Sequence, residues 1–329
     1  MDDFHCVGAL RRFTLALAVV TLGLLGPVSI GHALAEAPLA GFQPPGFFRM
    51  MLGDIEVTAL YDGAASLDAV KMLDEPAQDT EAALKASFLR NPLATSDNAF
   101  LINTGAKLVL IDTGGGSFFG PRLGKLQANL RAAGYGPEQV DDILLTHMHR
   151  DHIGGLVADG RAAFPNAIIH ADKREADYWL PADNLADAPA DQKPRFQGAL
   201  AALAPYIVAG HFRTFTADSD VVPMVRAVPA YGHSAGHTMY VVESKGRSLW
   251  LVGDLVNVGA VQLAHPKISS GFDGDRAAAV ATREHVLGEA AHQEVLVGAA
   301  HLPFPGLGHV GGIDAAWRWI PIDYSGVIN

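Results

Sequence analysis

The feature that most constrains this chain is the stretch LLTHMHRDHIGGL at residues 144–156. Within six residues it places four side chains that commonly bind metal ions: His147, His149, Asp151 and His152. Polar groups at this density are costly to bury unless something binds them. The stretch is therefore expected to hold a cation, and an ordinary polar loop of surface histidines is the alternative against which the rest of the sequence is weighed.

A short apolar segment, residues 142–146, predicts a buried strand that leads directly into this motif. Residues two apart in an extended chain point to the same side. His147 and His149 are therefore expected to project together from the end of the strand. Asp151 and His152 then begin the next turn or helix and face the same space. This spacing can supply two adjacent cation sites, one for each pair of side chains.

The remainder of the sequence predicts strands that alternate with helices, with hairpins among the strands. We expect strands at residues 55–60, 99–102, 108–111, 142–146, 167–170, 225–228, 239–243, 248–252 and 294–298, and helices at residues 123–133, 171–179 and 274–292. A turn is expected at residues 61–63. Residues 180–205 are rich in Ala, Pro and Asp and indicate an inserted lid or helical cap. This order predicts an α/β fold of layered sheets flanked by helices.

Further candidate ligands follow other predicted strands. His233 and His237 lie in AYGHSAGHT, and His301 follows the apolar segment VLVGAA. Asp112 ends VLID, and Asp254 ends LWLVGD, where an unpaired carboxylate would be costly. A single His at such a position is more often a structural residue. Together, these residues place acids and imidazoles at several strand ends, where active sites of α/β proteins commonly lie.

Composition narrows the classes of function. Of the 329 residues, 49% are hydrophobic, which is typical of a globular protein with a substantial core. The net charge of -11 disfavours a nucleic-acid partner, because an acidic surface repels phosphate groups. The single cysteine, Cys6, lies within the predicted export signal, so the mature chain is expected to have neither a disulfide nor a thiolate ligand.

The N-terminus has the pattern of a signal peptide at residues 1–35. Paired arginines at positions 11–12 precede an uncharged run at residues 13–25, which is too short to span a bilayer, and residues 33–35 form an A-x-A cleavage site. We expect a single periplasmic or secreted domain at residues 36–329, exported by the twin-arginine or the general secretory route. No stable membrane insertion is expected after the signal is removed.

In order along the chain, the motifs VLIDTGGG, THMHRDHIGG, AYGHSAGHT, LVGDLV and AAH resemble those of the metallo-β-lactamase superfamily. The resemblance implies a four-layer αββα sandwich with metal ions at one edge of the sheets. It also implies two sets of metal ligands, with Asp254 bridging them: His147, His149 and His233 in one set, and Asp151, His152 and His301 in the other. Asp112 would hold the loop and the ligands in place without binding a metal. His233 is preferred to His237 because the ligand is the first His of the family's P-G-H-T-P-G-H pattern, although this chain lacks the first Pro.

The ligand carboxylates Asp151 and Asp254 are also the candidate catalytic residues. A bridging Asp254 and the absence of a Cys ligand near its place indicate a binuclear hydrolase rather than an enzyme that cleaves β-lactams. The ligands suit two divalent cations, with zinc as the first expectation and manganese, cobalt or iron as alternatives. The two ions would share a hydroxide that acts as the nucleophile.

Within the superfamily, the chain resembles the methyl parathion hydrolases and their esterase and lactonase relatives, with LPFPGLGHV and RWIPIDY near its end. This resemblance implies a homodimer and a substrate pocket lined by Phe119, Trp179 and Phe196, with Phe272 as a further candidate. Core or lid packing is the alternative role for these aromatic side chains. No Arg or Lys cluster is evident near the motifs, so we expect small neutral substrates: phosphotriesters, aryl esters or lactones.

Three other functions share parts of this pattern. A glyoxalase-II-like thioesterase would have the bridging Asp together with basic residues that bind glutathione. A persulfide dioxygenase-like oxidoreductase would bind a single iron through the same H-x-H-x-D-H motif. A non-catalytic exported metal-binding protein would keep the ligands but would need no open aromatic pocket.

Overall fold

The computed structural model describes residues 37–216, 218–313 and 316–325. The predicted signal peptide, residues 1–35, lies outside the described residues. From Gln43 onward the chain forms one compact unit. Within the described ranges, no helix is long and apolar enough to cross a bilayer.

Strands and helices alternate through most of the chain. The strands are β1 Phe47–Leu52, β2 Ile55–Leu67, β3 Leu93–Asn103, β4 Leu108–Ile111, β5 Asp142–Leu144, β6 Val157–Ala158, β7 Arg161–Ala162, β8 Ile168–Asp172, β9 Phe212–Phe215, β10 Ser219–Val222, β11 Val225–Pro229, β12 Thr238–Ser244, β13 Arg247–Leu251, β14 Leu296–Gly298, β15 Leu307–Ile313 and β16 Ala316–Pro321. The α-helices are α1 Ala69–Met72, α2 Ala77–Ala86, α3 Leu126–Ala132, α4 Arg150–Ile153, α5 Lys173–Trp179, α6 Ala182–Asp187, α7 Lys193–Val208, α8 Gly259–Gln262 and α9 Arg276–His292. Short 3-10 turns lie at Gly116–Arg122, Pro137–Gln139, Gly154–Leu156 and Gly253–Leu255.

The described strands form two seven-stranded sheets and a small hairpin of β6 and β7. The first sheet has the order β1-β2-β3-β4-β5-β8-β9, antiparallel from β1 to β4 and parallel from β4 to β9. The second runs in chain order from β10 to β16 and is antiparallel except for the parallel pair β13 and β14. Parallel neighbours need crossover connections, and the helices α3 to α9 lie in those connections, whereas α1 and α2 lie between the antiparallel strands β2 and β3.

Three apolar layers hold the sheets and helices together. The inner faces of the sheets pack on each other through side chains such as Phe100 of the first sheet and Tyr240 of the second. The outer face of the first sheet is covered by α3, α5 and α7, and that of the second by α9. The layer order is helix–sheet–sheet–helix, which confirms the predicted α/β fold and its αββα sandwich.

The first predicted strand continues beyond the turn that the sequence suggested at residues 61–63. β2 runs on to Leu67, and a β-bulge lies between Tyr61 and Gly63. The buried carboxylate of Asp62, inside the bulge, accepts hydrogen bonds from the backbone N–H groups of Gly115, Gly124 and Leu126. The prediction of a turn was wrong because Asp and Gly are typical of both turns and bulges, and only the distant partners of Asp62 distinguish them.

Residues 180–205 contain α6 and most of α7. Phe196, Leu203 and Tyr206 of α7 are buried in the apolar layer on the first sheet. The first turn of α7 carries Arg195, which lines an open cavity beside the ligand motifs. Movement of this segment as a lid stays a prediction, but its apolar face belongs to the outer helical layer.

Candidate metal centre

The predicted ligands follow the carboxyl ends of four strands. β5 leads directly into the H-x-H-x-D-H motif, and β11 ends shortly before His233. In the same way, β13 precedes Asp254 and β14 precedes His301. Each strand is short and apolar, so burial of the strand carries its polar end to the edge of the sandwich. This arrangement explains how residues far apart in the sequence reach one site.

The structure brings all seven predicted ligands together in two groups: His147, His149, His233 and Asp254, and Asp151, His152 and His301. Within each group the candidate ligand atoms lie within 4.8 Å of one another. The carboxylate of Asp254 lies between the groups. One oxygen is 3.0 Å from His152 Nε2 and the other is 3.3 Å from His233 Nε2. Asp254 is therefore placed to bridge two cations.

Several candidate metal-ligand atoms in this cluster lack the hydrogen-bond partners that buried polar atoms normally have. His147 Nε2, His152 Nε2 and Asp254 Oδ1 are buried without an aligned hydrogen-bond partner, although His152 Nε2 and Asp254 Oδ1 lie 3.0 Å apart. His233 Nε2 and His149 Nδ1 face each other at 3.0 Å, where two nitrogen lone pairs need a shared proton or a cation. Imidazole nitrogens and carboxylate oxygens in this arrangement fit divalent transition-metal ions.

Asp112 holds the metal-binding loop from behind, as the sequence predicted. Its carboxylate accepts hydrogen bonds from the backbone N–H and the hydroxyl of Thr146 at 2.8 and 2.7 Å, and lies 2.8 Å from His152 Nδ1. A proton on Nδ1 leaves the Nε2 lone pair of His152 available to a cation. Asp112 has a φ of 60°, an uncommon conformation for a residue other than Gly, and these three contacts hold it there.

Close packing of two glycine-rich loops brings Asp112 near the motif. An added Cβ at Gly155 would lie 1.9 Å from the carbonyl oxygen of Thr113, and one at Gly154 would lie 2.0 Å from that of Gly115. Side chains at either position would force the loops apart. The paired glycines after the motif therefore have a steric role.

Glu175 links two ligand loops and was not identified from the sequence. Its buried carboxylate accepts hydrogen bonds from the backbone N–H groups of Met148 and Gly236 at 2.8 and 2.7 Å. It also accepts from the Ser234 hydroxyl at 2.8 Å and from Trp179 Nε1 at 2.6 Å. In the sequence, Glu175 is one acid in the charged stretch KREAD, which is typical of an exposed helix, and no local signal distinguishes it.

His237 supports Asp254 instead of joining the ligands. His237 Nδ1 lies 2.9 Å from the carbonyl oxygen of Ala230, and the backbone N–H of Asp254 donates to His237 Nε2 at 3.0 Å. Burial lowers the pKa of His237 to about 3, so it is a neutral acceptor. His233 instead has its Nδ1 3.0 Å from Asp273, which leaves Nε2 directed at the cluster.

Burial and neighbouring charges set the protonation of the cluster. Burial lowers the pKa of His147 well below its usual value, so this imidazole is neutral. Burial opposes ionisation of Asp254, but His301 and His152 outweigh it and hold the pKa of Asp254 well below its usual range. Burial opposes the charge on His301 as well, yet Asp254 raises the pKa of His301 to about 9. The site therefore has a strongly anionic centre at Asp254, which attracts protons or cations.

An open cavity of about 340 Å³ includes His149, Asp151, Asp254 and His301 in its lining. Phe119 and Phe272, both predicted to bind substrate, line it as well and are 38% and 37% exposed. The ligand side chains are therefore accessible from one side to a molecule of small organic size.

Trp179 and Phe196 do not line this cavity, and here the sequence-based assignment is corrected. Both side chains are only 4% exposed and pack on each other with ring centroids 4.7 Å apart. The Trp179 ring also lies edge-on to His149, with the centroids 5.6 Å apart. These two residues belong to the packing behind the ligands, because their helices pack on the first sheet.

The cavity also contains charged side chains that the sequence did not bring together. Arg122, Arg150 and Arg195 all line it, although no Arg or Lys cluster was evident along the chain. Asp97 lies in the same wall, and burial raises the pKa of this carboxyl well above its usual value. These four residues come from distant segments, so no spacing in the sequence could have revealed them.

The model of the metallo-beta-lactamase superfamily matches residues 94–301, which include every candidate ligand. Among solved structures, the hydrolase AbOPH of the beta lactamase superfamily is 36% identical, with a TM-score of 0.83, and the match covers 86% of this chain and 100% of that chain. AidC, a dizinc quorum-quenching lactonase, is 28% identical with a TM-score of 0.80, and the match covers 85% of this chain and 99% of AidC.

A curated relative, the atrochrysone carboxyl ACP thioesterase of Passalora fulva, is 30% identical over 149 residues. The match covers 45% of this chain and spans 34% of the length of that thioesterase. The family match, the two similar hydrolases and the clustered His and Asp side chains agree with one another. The chain belongs to the metallo-beta-lactamase superfamily and is a metallo-hydrolase of that superfamily.

Proposed function

We propose that this protein is an exported binuclear zinc hydrolase of ester and lactone bonds that also accepts phosphotriesters of the methyl parathion type. The observation that carries the proposal is the pair of ligand groups that share Asp254 at the side of an open cavity. The similarity to AidC, a dizinc lactonase, supports both the metal and the reaction. The two ligand groups also favour this function over that of a mononuclear iron oxidoreductase.

When bound, two divalent cations would supply the nucleophile by lowering the pKa of a held water to about 7, and would polarise the carbonyl or phosphoryl group. Asp254 contributes a negative charge between the two ligand groups. Asn257 Nδ2 donates a hydrogen bond to Asp254 Oδ2 at 3.0 Å and fixes the orientation of the carboxylate. This contact keeps the other oxygen, Oδ1, directed at His152.

Asp151 has a different position from Asp254. Its side chain is 30% exposed, lines the cavity, and has Oδ2 3.7 Å from His301 Nε2. A carboxylate between the ligand group and the cavity can both bind a cation and accept a proton from an attacking water molecule. We assign proton acceptance to the Asp151 carboxylate and an electrostatic role to Asp254.

Phe119 and Phe272 supply the apolar surface of the cavity. Exposed aromatic rings beside a polar centre bind aryl and acyl groups through area burial and ring stacking. Small molecules with a neutral scissile group fit this surface. The same rings would exclude bulk water from the side of the substrate that faces them.

Thioester hydrolysis is a second candidate function, and two observations favour it. The thioesterase of Passalora fulva is 30% identical over nearly half of this chain. The cavity also has the basic side chains expected for an anionic thioester, namely Arg122, Arg150 and Arg195. A thioester presents the same carbonyl carbon to the site and has a better leaving group than an alkyl ester.

The test is turnover by zinc-loaded protein of methyl parathion, a 4-nitrophenyl ester, dihydrocoumarin and an acyl thioester. We expect hydrolysis of the ester and the lactone, with Asp254→Asn inactive on both. Faster turnover of the thioester than of any oxygen ester would establish the second candidate instead. No turnover of any of the four by protein with two metals per chain would refute the hydrolase proposal.

Export is tested separately by N-terminal sequencing of protein from the periplasm of the native host. We expect a mature start at Glu36, after the residues 33–35 cleavage site. A cytoplasmic protein that retains Met1 would contradict export. Sedimentation of the same material would test the expected homodimer.

A further inference from the structure

Arg122, Arg150 and Arg195 meet at one cavity from three separate elements. Arg122 ends the 3-10 turn after β4, Arg150 begins α4, and Arg195 lies in the first turn of α7. None of the three guanidinium groups has a described carboxylate within 4.0 Å. The arginines that form ion pairs among the described residues lie elsewhere: Arg49, Arg226, Arg276 and Arg283.

Two of these guanidinium groups lie against aromatic rings in or beside the cavity. The Arg150 guanidinium carbon lies 4.9 Å from the Phe118 ring centroid and 5.3 Å from that of Phe119. Arg150 also donates a hydrogen bond to the carbonyl oxygen of Phe118 at 3.0 Å. The Arg195 guanidinium lies 6.0 Å from the centroid of Phe272. Stacking positions a guanidinium but leaves most of its five N–H donors unused.

The acidic side chains around the cavity leave the charge of these arginines largely uncompensated. Asp151 and Asp254 line the cavity, but both belong to the ligand groups and would be neutralised by bound cations. Asp97 is the remaining acid of the wall, and burial favours its uncharged form. In a chain of net charge -11, the part of this cavity beyond the ligands is therefore positively charged. A concave surface with charge of one sign attracts ligands of the opposite sign.

We propose that Arg122, Arg150 and Arg195 bind an anionic group, most simply a carboxylate, that the substrate carries away from its scissile bond. This inference rests on the proposed function and names the substrate class: esters, thioesters or lactones with a distal carboxylate. The scissile group itself remains uncharged. Guanidinium groups suit this role because their planar N–H pairs match the two oxygens of a carboxylate.

A pair of substrates of equal length tests the proposal. Mono-4-nitrophenyl adipate has a distal carboxylate, and the 4-nitrophenyl ester of adipic acid monoamide has a neutral amide in its place. We expect kcat/KM to be at least about tenfold higher for the carboxylate, as one charge-assisted hydrogen bond provides. Arg122→Gln and Arg195→Gln should each reduce this ratio, and raising the NaCl concentration should do the same.

The matched controls separate charge from folding. Arg131→Gln changes an exposed arginine on α3, outside the cavity lining, and should leave the ratio unchanged. Arg195→Lys retains the positive charge and should keep part of the preference. Circular dichroism of each variant checks that it is folded. A ratio near one in the folded wild-type protein would overturn the inference and leave ester hydrolysis intact.

A binding measurement makes the test independent of turnover. Adipate and adipic acid monoamide each have one carboxylate that can reach the ligand groups, but only adipate has a second. By calorimetry, zinc-loaded protein should bind adipate at least about tenfold more tightly, and Arg122→Gln should lose this preference. Equal affinities would overturn the inference. A preference for adipate without hydrolysis of either ester would support the inference and refute the proposed function.

Discussion

The ligand cluster and the wall of the neighbouring cavity are held in place in different ways. His147, His152 and Asp254 are at most 3% exposed, and the buried carboxylates behind the cluster accept hydrogen bonds from its loops. Phe119 and Phe272 are more than a third exposed, and the ring contacts found for them are with guanidinium groups. Many buried contacts fix the side chains of the ligand cluster, whereas few contacts fix the side chains of the cavity wall.

This difference separates the chemistry of the site from its selectivity. A reaction centre needs fixed geometry, because small displacements of reacting groups cost large factors in rate. A cavity wall with few contacts can change its side chains without loss of the fold. Changes in the cluster or behind it should therefore alter metal binding and stability, and changes in the wall should alter only the choice of substrate.

The largest effect is expected from Asp254→Asn. Because the neutral amide removes the negative charge between the ligand groups, we expect loss of one metal ion and a fall in kcat of more than about 100-fold. Elemental analysis and steady-state kinetics measure both, with Asp183→Asn on the exposed helix α6 as the matched control. Two tightly bound metals with intact activity would contradict the bridging role.

Glu175→Gln should have the next largest effect, on the free energy of unfolding. The carboxylate accepts four hydrogen bonds, and an amide NH2 group would face donors that it cannot satisfy. We expect a loss of about 3 kcal/mol in urea unfolding of the metal-free protein. Glu138→Gln, on an exposed 3-10 turn, is the control. A loss below about 1 kcal/mol would show that the hydrogen bonds of the Glu175 carboxylate are not needed for stability.

Asp112→Asn should weaken zinc binding by about 10- to 100-fold, as is usual for a residue that orients a ligand imidazole. The amide retains the size of the side chain but cannot both accept from the backbone N–H of Thr146 and stabilise the proton on His152 Nδ1, because these two groups contact different oxygens of the carboxylate. Competition with a chromophoric chelator measures the zinc affinity. Unchanged affinity with reduced stability would mean that Asp112 supports the loop alone.

Trp179→Phe tests whether Trp179 packs behind the ligand cluster or contacts the substrate in the cavity. Phe retains most of the buried area but removes the N–H that donates to Glu175, so we expect a loss of about 1 kcal/mol of stability. The order of kcat/KM values across a panel of aryl esters should stay the same. A changed order would return Trp179 to the substrate pocket predicted from the sequence.

The smallest effect on stability is expected from Phe272→Leu and Phe119→Leu. Each should change the free energy of unfolding by less than about 0.5 kcal/mol, because the replaced rings are exposed. Each should also raise KM for aryl esters several-fold more than KM for an aliphatic ester of equal size, since ring stacking is lost. Equal changes in KM for both classes of ester would show that the rings do not select aryl groups.

Much of the fold could be predicted because its signals are local. The hairpin of β3 and β4, the strands β11 to β13 and the helix α9 follow from apolar periodicity and turn residues within short windows. The continuation of β2 through Asp62 could not be predicted. Its bulge is stabilised by backbone donors more than fifty residues away, so the same Asp-Gly pair is ambiguous in isolation.

The seven candidate metal ligands could also be identified from the sequence, because their signals are local. Four of them lie within six residues, and the others directly follow apolar strands, where a polar side chain needs a partner. The roles of Trp179 and Phe196 could not be predicted in this way, because an aromatic residue is equally compatible with a core and a pocket. Only packing decides between them, and both side chains are buried.

The sequence by itself determined much of the order of strands and helices, the layered α/β class and the set of candidate ligand side chains, because periodicity and motif spacing are properties of neighbouring residues. The αββα sandwich was implied by the resemblance of its motifs to those of the metallo-β-lactamase superfamily. Tertiary structure alone decided which side chains surround that set. Glu175 reaches two ligand loops, and Arg122 and Arg195 reach one cavity, only because the connections between strands fold over the same edge of the sandwich. Contacts between residues this far apart in the chain depend on how whole layers pack, and no local pattern records them.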